Sequence, residues 1–184
     1  MNYTTPIEYK NERRGKVTDV DDATIHDLVL QIQKVNDEDD ANEEVYAKYK
    51  RLPIQINVSS YGGSVYDGLA LIAAMRASKT PIHTYVMGPA MSMGLIIAVC
   101  GHKRFADRYA TYMWHDIASV NAGKLEEMEQ SAEQLKILRK SLNDMLVDKT
   151  KIKPEKIKEM IKSKRDWYFT AEEAKKLGVC DELL

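Results

Sequence analysis

The chain has 184 residues, 44% of them apolar and 30% charged, with a formal net charge of −1. That length suits one domain with a substantial core, and the near-neutral balance gives neither nucleic acid nor an anionic membrane a reason to bind. No apolar run approaches the roughly 18 residues that span a bilayer, and the polar start from Met1 to Gly15 lacks the apolar stretch of a secretory signal.

Residues 1–15 carry no periodicity and are expected to form a mobile arm. Lys16 to Val20 reads as a short strand. From Asp22 onward Ile25, Leu28, Val29, Ile32 and Val35 follow helical spacing, with Asp21 or Asp22 available as cap. Asn36 to Lys50 is dense in charge and reads as a solvated connection; its acidic residues lack metal-ligand spacing. Pro53 to Val58 alternates apolar and polar, the pattern of a strand with Ile54, Ile56 and Val58 inward. It runs into Ser59-Ser60-Tyr61-Gly62-Gly63-Ser64, where adjacent glycines permit positive φ and close backbone approach to a ligand. Val65, Leu69, Ile72 and Ala73 then mark a helix to about Ala77.

A strand, a small-residue turn and a helix follow again. Ile82 to Met87 leads into Gly88-Pro89-Ala90-Met91-Ser92-Met93-Gly94, and a short apolar helix ends near Gly101. Two such units in succession predict parallel strands in a β-α-β arrangement, with both turns at the same end of the sheet. Ala90-Met91-Ser92-Met93-Gly94 departs by one residue from the G-x-S-x-G form that displays a nucleophilic serine. From the residues alone Ser92 is either such a nucleophile or a plain helix N-cap.

Arg104 to Asp107 and Ala110 to Trp114 read as two further strands, the second delivering His115. Asp116 to Lys124 is irregular. A helix from Lys124 to about Lys149 carries Leu125, Met128, Leu135, Leu138, Leu142, Met145 and Leu146 along one side. Pro154 opens a shorter helix with Ile157, Met160 and Ile161 inward. Thr170-Ala171-Glu172-Glu173 is a capping box, and Gly178 ends the helix that it starts. Cys100 and Cys180 stand in apolar company, as free thiols of a reducing, cytoplasmic compartment.

Serine hydrolysis needs a hydroxyl, an imidazole to take its proton, usually a carboxylate to orient the ring, and N–H donors for the oxyanion. Of the four histidines, His26 lies on an amphipathic helix, His83 enters the strand far from Ser92, and His102 sits in a polar turn. His115 closes an aromatic strand beside an irregular loop, where it can face a cleft.

Four segments in order then resemble the Clp protease proteolytic-subunit family, over about Val17 to Leu184. They are Ser59 to Gly63, Gly88 to Gly94, Tyr112-Met113-Trp114-His115, and Asp166 to Ala174 with Leu177 to Asp181 behind it. The resemblance implies a serine endopeptidase with Ser92 as nucleophile, His115 as general base and Asp166 as orienting carboxylate. It implies an oxyanion hole from the N–H groups of Gly63 and Met93, and no metal or organic cofactor in the subunit. The implied fold is α/β and crotonase-like, with repeated β-β-α units in a single domain over 1–184 and a projecting helical handle at 116–149. The implied assembly is a homo-oligomeric tetradecamer of stacked seven-fold rings. An AAA+ unfoldase of the Clp type, which uses ATP, feeds polypeptide substrates into it.

The chain departs from the family pattern at several places. Tyr61 and Ser59 replace a proline and an asparagine, and the Gly101 to Arg104 segment is short. Residues 37–44 form an acidic insertion. Gln55 and Asn57 stand where the family often places tyrosines for ATPase docking, and Asp107 where it has an aliphatic residue, and a polar pocket buries an apolar loop only at a desolvation cost. The docking is therefore expected to be weak, altered or absent. Two other readings compete: a catalytically silent ring subunit, and a crotonase-fold acyl-CoA enzyme, against which the full Ser92, His115 and Asp166 set argues.

Overall fold

A computed structural model of the protein describes residues 13–119 and 122–184. The elements in chain order are β1 (Arg14–Val17), α1 (Asp22–Val45), β2 (Ile54–Ser60), α2 (Val65–Ala77), β3 (Ile82–Met91), α3 (Met93–Val99), β4 (Lys103–Ala106) and β5 (Thr111–Trp114). They continue with α4 (Leu125–Lys149), α5 (Pro154–Ser163), β6 (Trp167–Thr170), α6 (Ala171–Lys176) and β7 (Glu182–Leu183). The strands form one sheet in the order β1-β2-β3-β4-β7, with β5 joining from β3 and β6 from β5. Every pairing is parallel except β5 with β6. The expected α/β architecture of parallel strands is therefore present.

The alternation read in β2 has a physical counterpart. Ile54, Ile56 and Val58 are fully buried on one face, while Gln55 is half-buried and Asn57 exposed on the other. Strand β3 repeats it with Ile82, Thr84 and Val86 inward. The buried side chains pack against Leu71, Ile72 and Met75 of α2 and against α3, whose residues are buried all round, as expected of a helix apolar on every side.

Strand β3 is the pivot of the sheet. Its first half pairs with β4 (His83↔Lys103 to Val86↔Ala106), and its second half with β5 (Pro89↔Thr111 to Met91↔Met113). It runs through the small-residue turn to Met91, further than the expected end at Met87. That split gives β5 its place at the end of the sheet where β3 meets α3.

Two expectations are corrected. The arm was expected to extend to Gly15; residues 1–12 lie outside the described residues, but Arg13 is buried, and Arg14 and Gly15 pair with Gln55 and Ile56. The solvated connection from Asn36 is instead the continuation of α1 to Val45. Its charges are held by partners distant in sequence. Asp39 is fully buried and accepts from Arg13 (Nη1, 3.0 Å), Thr80 Oγ1 and Tyr49 Oη. Arg51 pairs with Asp40 and Glu43, and Lys79 with Asp40. Helical periodicity of apolar residues stops where this polar knot begins, which is why the sequence pattern ended early.

Helix α4 buries Leu138, Leu142 and Leu146, all in its second half, and its N-terminal turns expose Leu125 and Met128. Asp21 caps α1 by accepting from Thr24 N at 2.9 Å, and the Thr170–Glu173 capping box opens α6 as expected. Among the described residues no helix is long and apolar enough to cross a membrane.

Candidate active site

Ser92 occupies the N-cap position of α3, yet its hydroxyl makes no capping bond. Its backbone has φ 53° and ψ −123°, a conformation that L residues rarely adopt and that is retained where the surroundings force it. The forcing elements are visible. Ser92 N donates to Met113 O at 2.9 Å, which ties the turn to β5, and Leu95 N and Ile96 N donate to Ser92 O, which starts the helix immediately. The side chain is thereby turned out of the helix toward His115. His115 Nε2 lies 2.8 Å from Ser92 Oγ.

The histidine reaches this position because β5 pairs with the second half of β3. Met91 lies opposite Met113, so β5 ends beside the turn that carries Ser92, with His115 two residues past Met113. The other histidines are elsewhere: His26 is exposed on α1, His83 is paired with Gln55 and Lys103 at the opposite end of β3, and His102 Nδ1 accepts from Ile82 N at 3.0 Å.

The diglycine turn closes over the serine. Gly62 has φ +112°, and a Cβ there would lie 2.8 Å from Ser92 Cβ; Gly63 has φ +144°, and a Cβ there would run into the Val20 carbonyl. These are the positions where glycine is required. Gly62 N donates to the buried Ser60 Oγ at 3.1 Å, and the strap after β1 clamps the turn through Val20 N to Gly62 O and Ser64 N to Val20 O. Those ladder bonds leave Gly63 N out, and Met93 N, in the first turn of α3, has no helical acceptor. Gly63 and Met93 line the same cleft as Ser92 and His115.

Asp166 is the exception. It is exposed, and no hydrogen bond or ion pair joins it to His115. The backbone nevertheless brings the two residues alongside. In the antiparallel β5–β6 pair Trp114 faces Trp167, and one further step along that register sets His115 against Asp166.

The cleft has a volume of about 260 Å³ and is further lined by Val65, Trp114, Asp116, Ile117, Arg139 and Asn143. Sequence reading missed the last group of contributors from α4. The available signal was their spacing, since Arg139 and Asn143 lie one helical turn apart.

Comparison with known families matches residues 15–184 to the Clp protease family. The curated "ATP-dependent Clp protease proteolytic subunit" of Deinococcus radiodurans is 33% identical over 133 residues. That alignment covers 71% of this chain and 64% of the relative, so the chain matches a little under two thirds of that relative's length. A parallel α/β sheet with a displayed serine beside a histidine, matched over nearly its whole length, defines the class. The chain belongs to the Clp protease family.

Proposed function

We propose that the protein is a serine endopeptidase subunit of a self-compartmentalised Clp-type protease. The observation that carries this reading is the 2.8 Å contact between Ser92 Oγ and His115 Nε2 at a backbone position held at positive φ. With the ring proton on Nδ1, Nε2 takes the hydroxyl proton as Oγ attacks the peptide carbonyl carbon. The oxyanion then accepts from Gly63 N–H and Met93 N–H. The imidazolium returns its proton to the departing amine, leaving an acyl-enzyme on Ser92, and water reverses the sequence. Asp166 is the orienting carboxylate in this scheme, one residue before Trp167, which pairs with Trp114 next to His115, and its side chain must turn in to reach Nδ1. No step calls for a metal or organic cofactor.

The same reading assigns a single crotonase-like domain, with residues 116–149 as a handle between stacked seven-fold rings. It places the enzyme in the cytoplasm, in keeping with two free buried thiols, Cys100 and Cys180. The partner is a Clp-type AAA+ unfoldase that consumes ATP and delivers unfolded polypeptide. Its docking is altered here. The sheet face that carries Gln55 and Asn57 also presents Tyr85 stacked on Phe105 at 4.6 Å, with the Lys103 ammonium 5.0 Å from the Phe105 ring centre, and Asp107 follows β4. A mixed aromatic and charged surface suits a neutral aliphatic loop poorly. Tight binding of a cognate unfoldase through this face would overturn that part.

The unbonded Asp166 favours one second reading, a catalytically silent ring subunit. Intact mass after a fluorophosphonate decides between them. One adduct on the assembled wild type and none on Ser92→Ala establishes an activated serine. No adduct on an assembled sample establishes the silent subunit.

A further inference from the structure

The two residues that flank His115 are both tethered to α4. Trp114 Nε1 donates to Asn143 Oδ1 at 3.2 Å, and Arg139 Nη1 donates to Asp116 Oδ2 at 3.3 Å. Asn143 and Arg139 are four residues apart, one turn of the same helix, while His115 between the two tethers bonds to Ser92. Asp116 is fixed further by accepting from Ile117 N at 2.9 Å. Among the described residues the His115 ring makes no hydrogen bond other than the one with Ser92.

We infer that Arg139 and Asn143 are positioning residues: α4 splints the end of β5 on both sides of His115 and thereby sets the distance from Nε2 to Ser92 Oγ. This inference rests on the serine peptidase reading above. The physics separates a splint from mere stability. The Arg139–Asp116 pair is about two-fifths exposed at both ends, and ion pairs of that exposure add little to folding. A displacement of the general base by an ångström, by contrast, costs about 100-fold in rate. The splint also makes His115 sensitive to anything that moves α4, whose first turns are exposed and free to meet another surface.

The test is the rate of acylation of the full chain by a fluorophosphonate, read beside KM for a fluorogenic peptide, thermal melting and assembled size. Arg139→Gln is expected to slow acylation about 10- to 100-fold with melting temperature unchanged. Asn143→Leu should slow it as much and, by leaving the buried Trp114 N–H without its acceptor, lower the melting temperature by a few degrees with assembly intact at the assay temperature. Combining them should cost less than the product of the two, since both act through one histidine. Asn143→Asp keeps the oxygen acceptor for Trp114 and should recover most of the rate. Trp114→Phe removes the donor together with part of the buried indole, and should reproduce the Asn143→Leu loss in acylation beyond what its own melting and assembled size account for. Variants that acylate as fast as wild type, or whose loss follows assembly or melting, overturn the splint. A wild type that takes no adduct at all overturns the peptidase reading itself, and the inference with it.

Discussion

Asp39 and Asp166 are both carboxylates in charged stretches of sequence, and the fold treats them in opposite ways. Asp39 is fully buried and accepts from Arg13, Tyr49 and Thr80. Asp166 is exposed, beside the site in register but bonded to nothing in it. An ionised carboxylate survives burial only with paired charge and filled hydrogen bonds, so a structural one is locked. On the peptidase reading the orienting carboxylate must meet its histidine, and the exposed Asp166 side chain makes no bond to His115. The knot around Asp39 is bonded on every side, whereas Asp166 makes no bond to His115.

That contrast can be broken most forcefully at Asp166. In assembled protein Asp166→Asn should lower the acylation rate by roughly 10⁴-fold with an unchanged melting temperature. An undiminished rate would remove Asp166 from the site and leave the Ser92–His115 pair with its α4 splint. Asp39→Ala should do the reverse, costing about 3 to 5 kcal/mol of stability by stranding the Arg13 charge, as measured by denaturant unfolding. A cost under about 1 kcal/mol, the worth of an exposed pair, would mean that the knot relaxes easily.

The pH dependence sharpens the same point. Burial raises the Asp39 pKa, but the bonds from Arg13, Thr80 and Tyr49 and the Arg13 charge outweigh it, and the carboxyl is held below its ordinary value. A depressed folded pKa stabilises the protein fully above the unfolded value of about 3.9 and loses that contribution as pH falls through the folded value. The stability gap between wild type and Asp39→Ala should therefore narrow on acidification below about pH 4. A gap that stayed constant to pH 2 would assign the effect to packing.

Smaller effects follow at two turns. Gly62→Ala forces a Cβ against Ser92 at φ +112°, and should cost about 1 to 3 kcal/mol of strain together with a slower acylation. Thr170→Ala removes a cap far from the knot and the serine, and should cost about 1 kcal/mol with acylation intact.

Much of this was legible in the residues. The alternation of Ile54, Ile56 and Val58 marked β2, the paired glycines marked the turn over the serine, and Thr170 with Glu173 marked the start of α6. Ser92 was legible only as a choice between N-cap and nucleophile. The end of α1 was misread because Asp39 is an inward-facing charge, and apolar periodicity has no symbol for a carboxylate whose partners lie 26 and 41 residues away.

What the sequence determined by itself was local: which segments alternate or turn at helical spacing, where glycine alone fits, and which residue types stand ready for acyl transfer. Tertiary structure decided what depends on separation in the chain. It turned Ser92 out of its helix by bonding its N–H to Met113, chose His115 over three other histidines by splitting β3 between β4 and β5, and set two α4 side chains on either side of that histidine. The reason is physical. Propensity and periodicity act over one or two turns, whereas a proton transfer needs two atoms within about 3 Å, a distance that only the packing of distant elements controls.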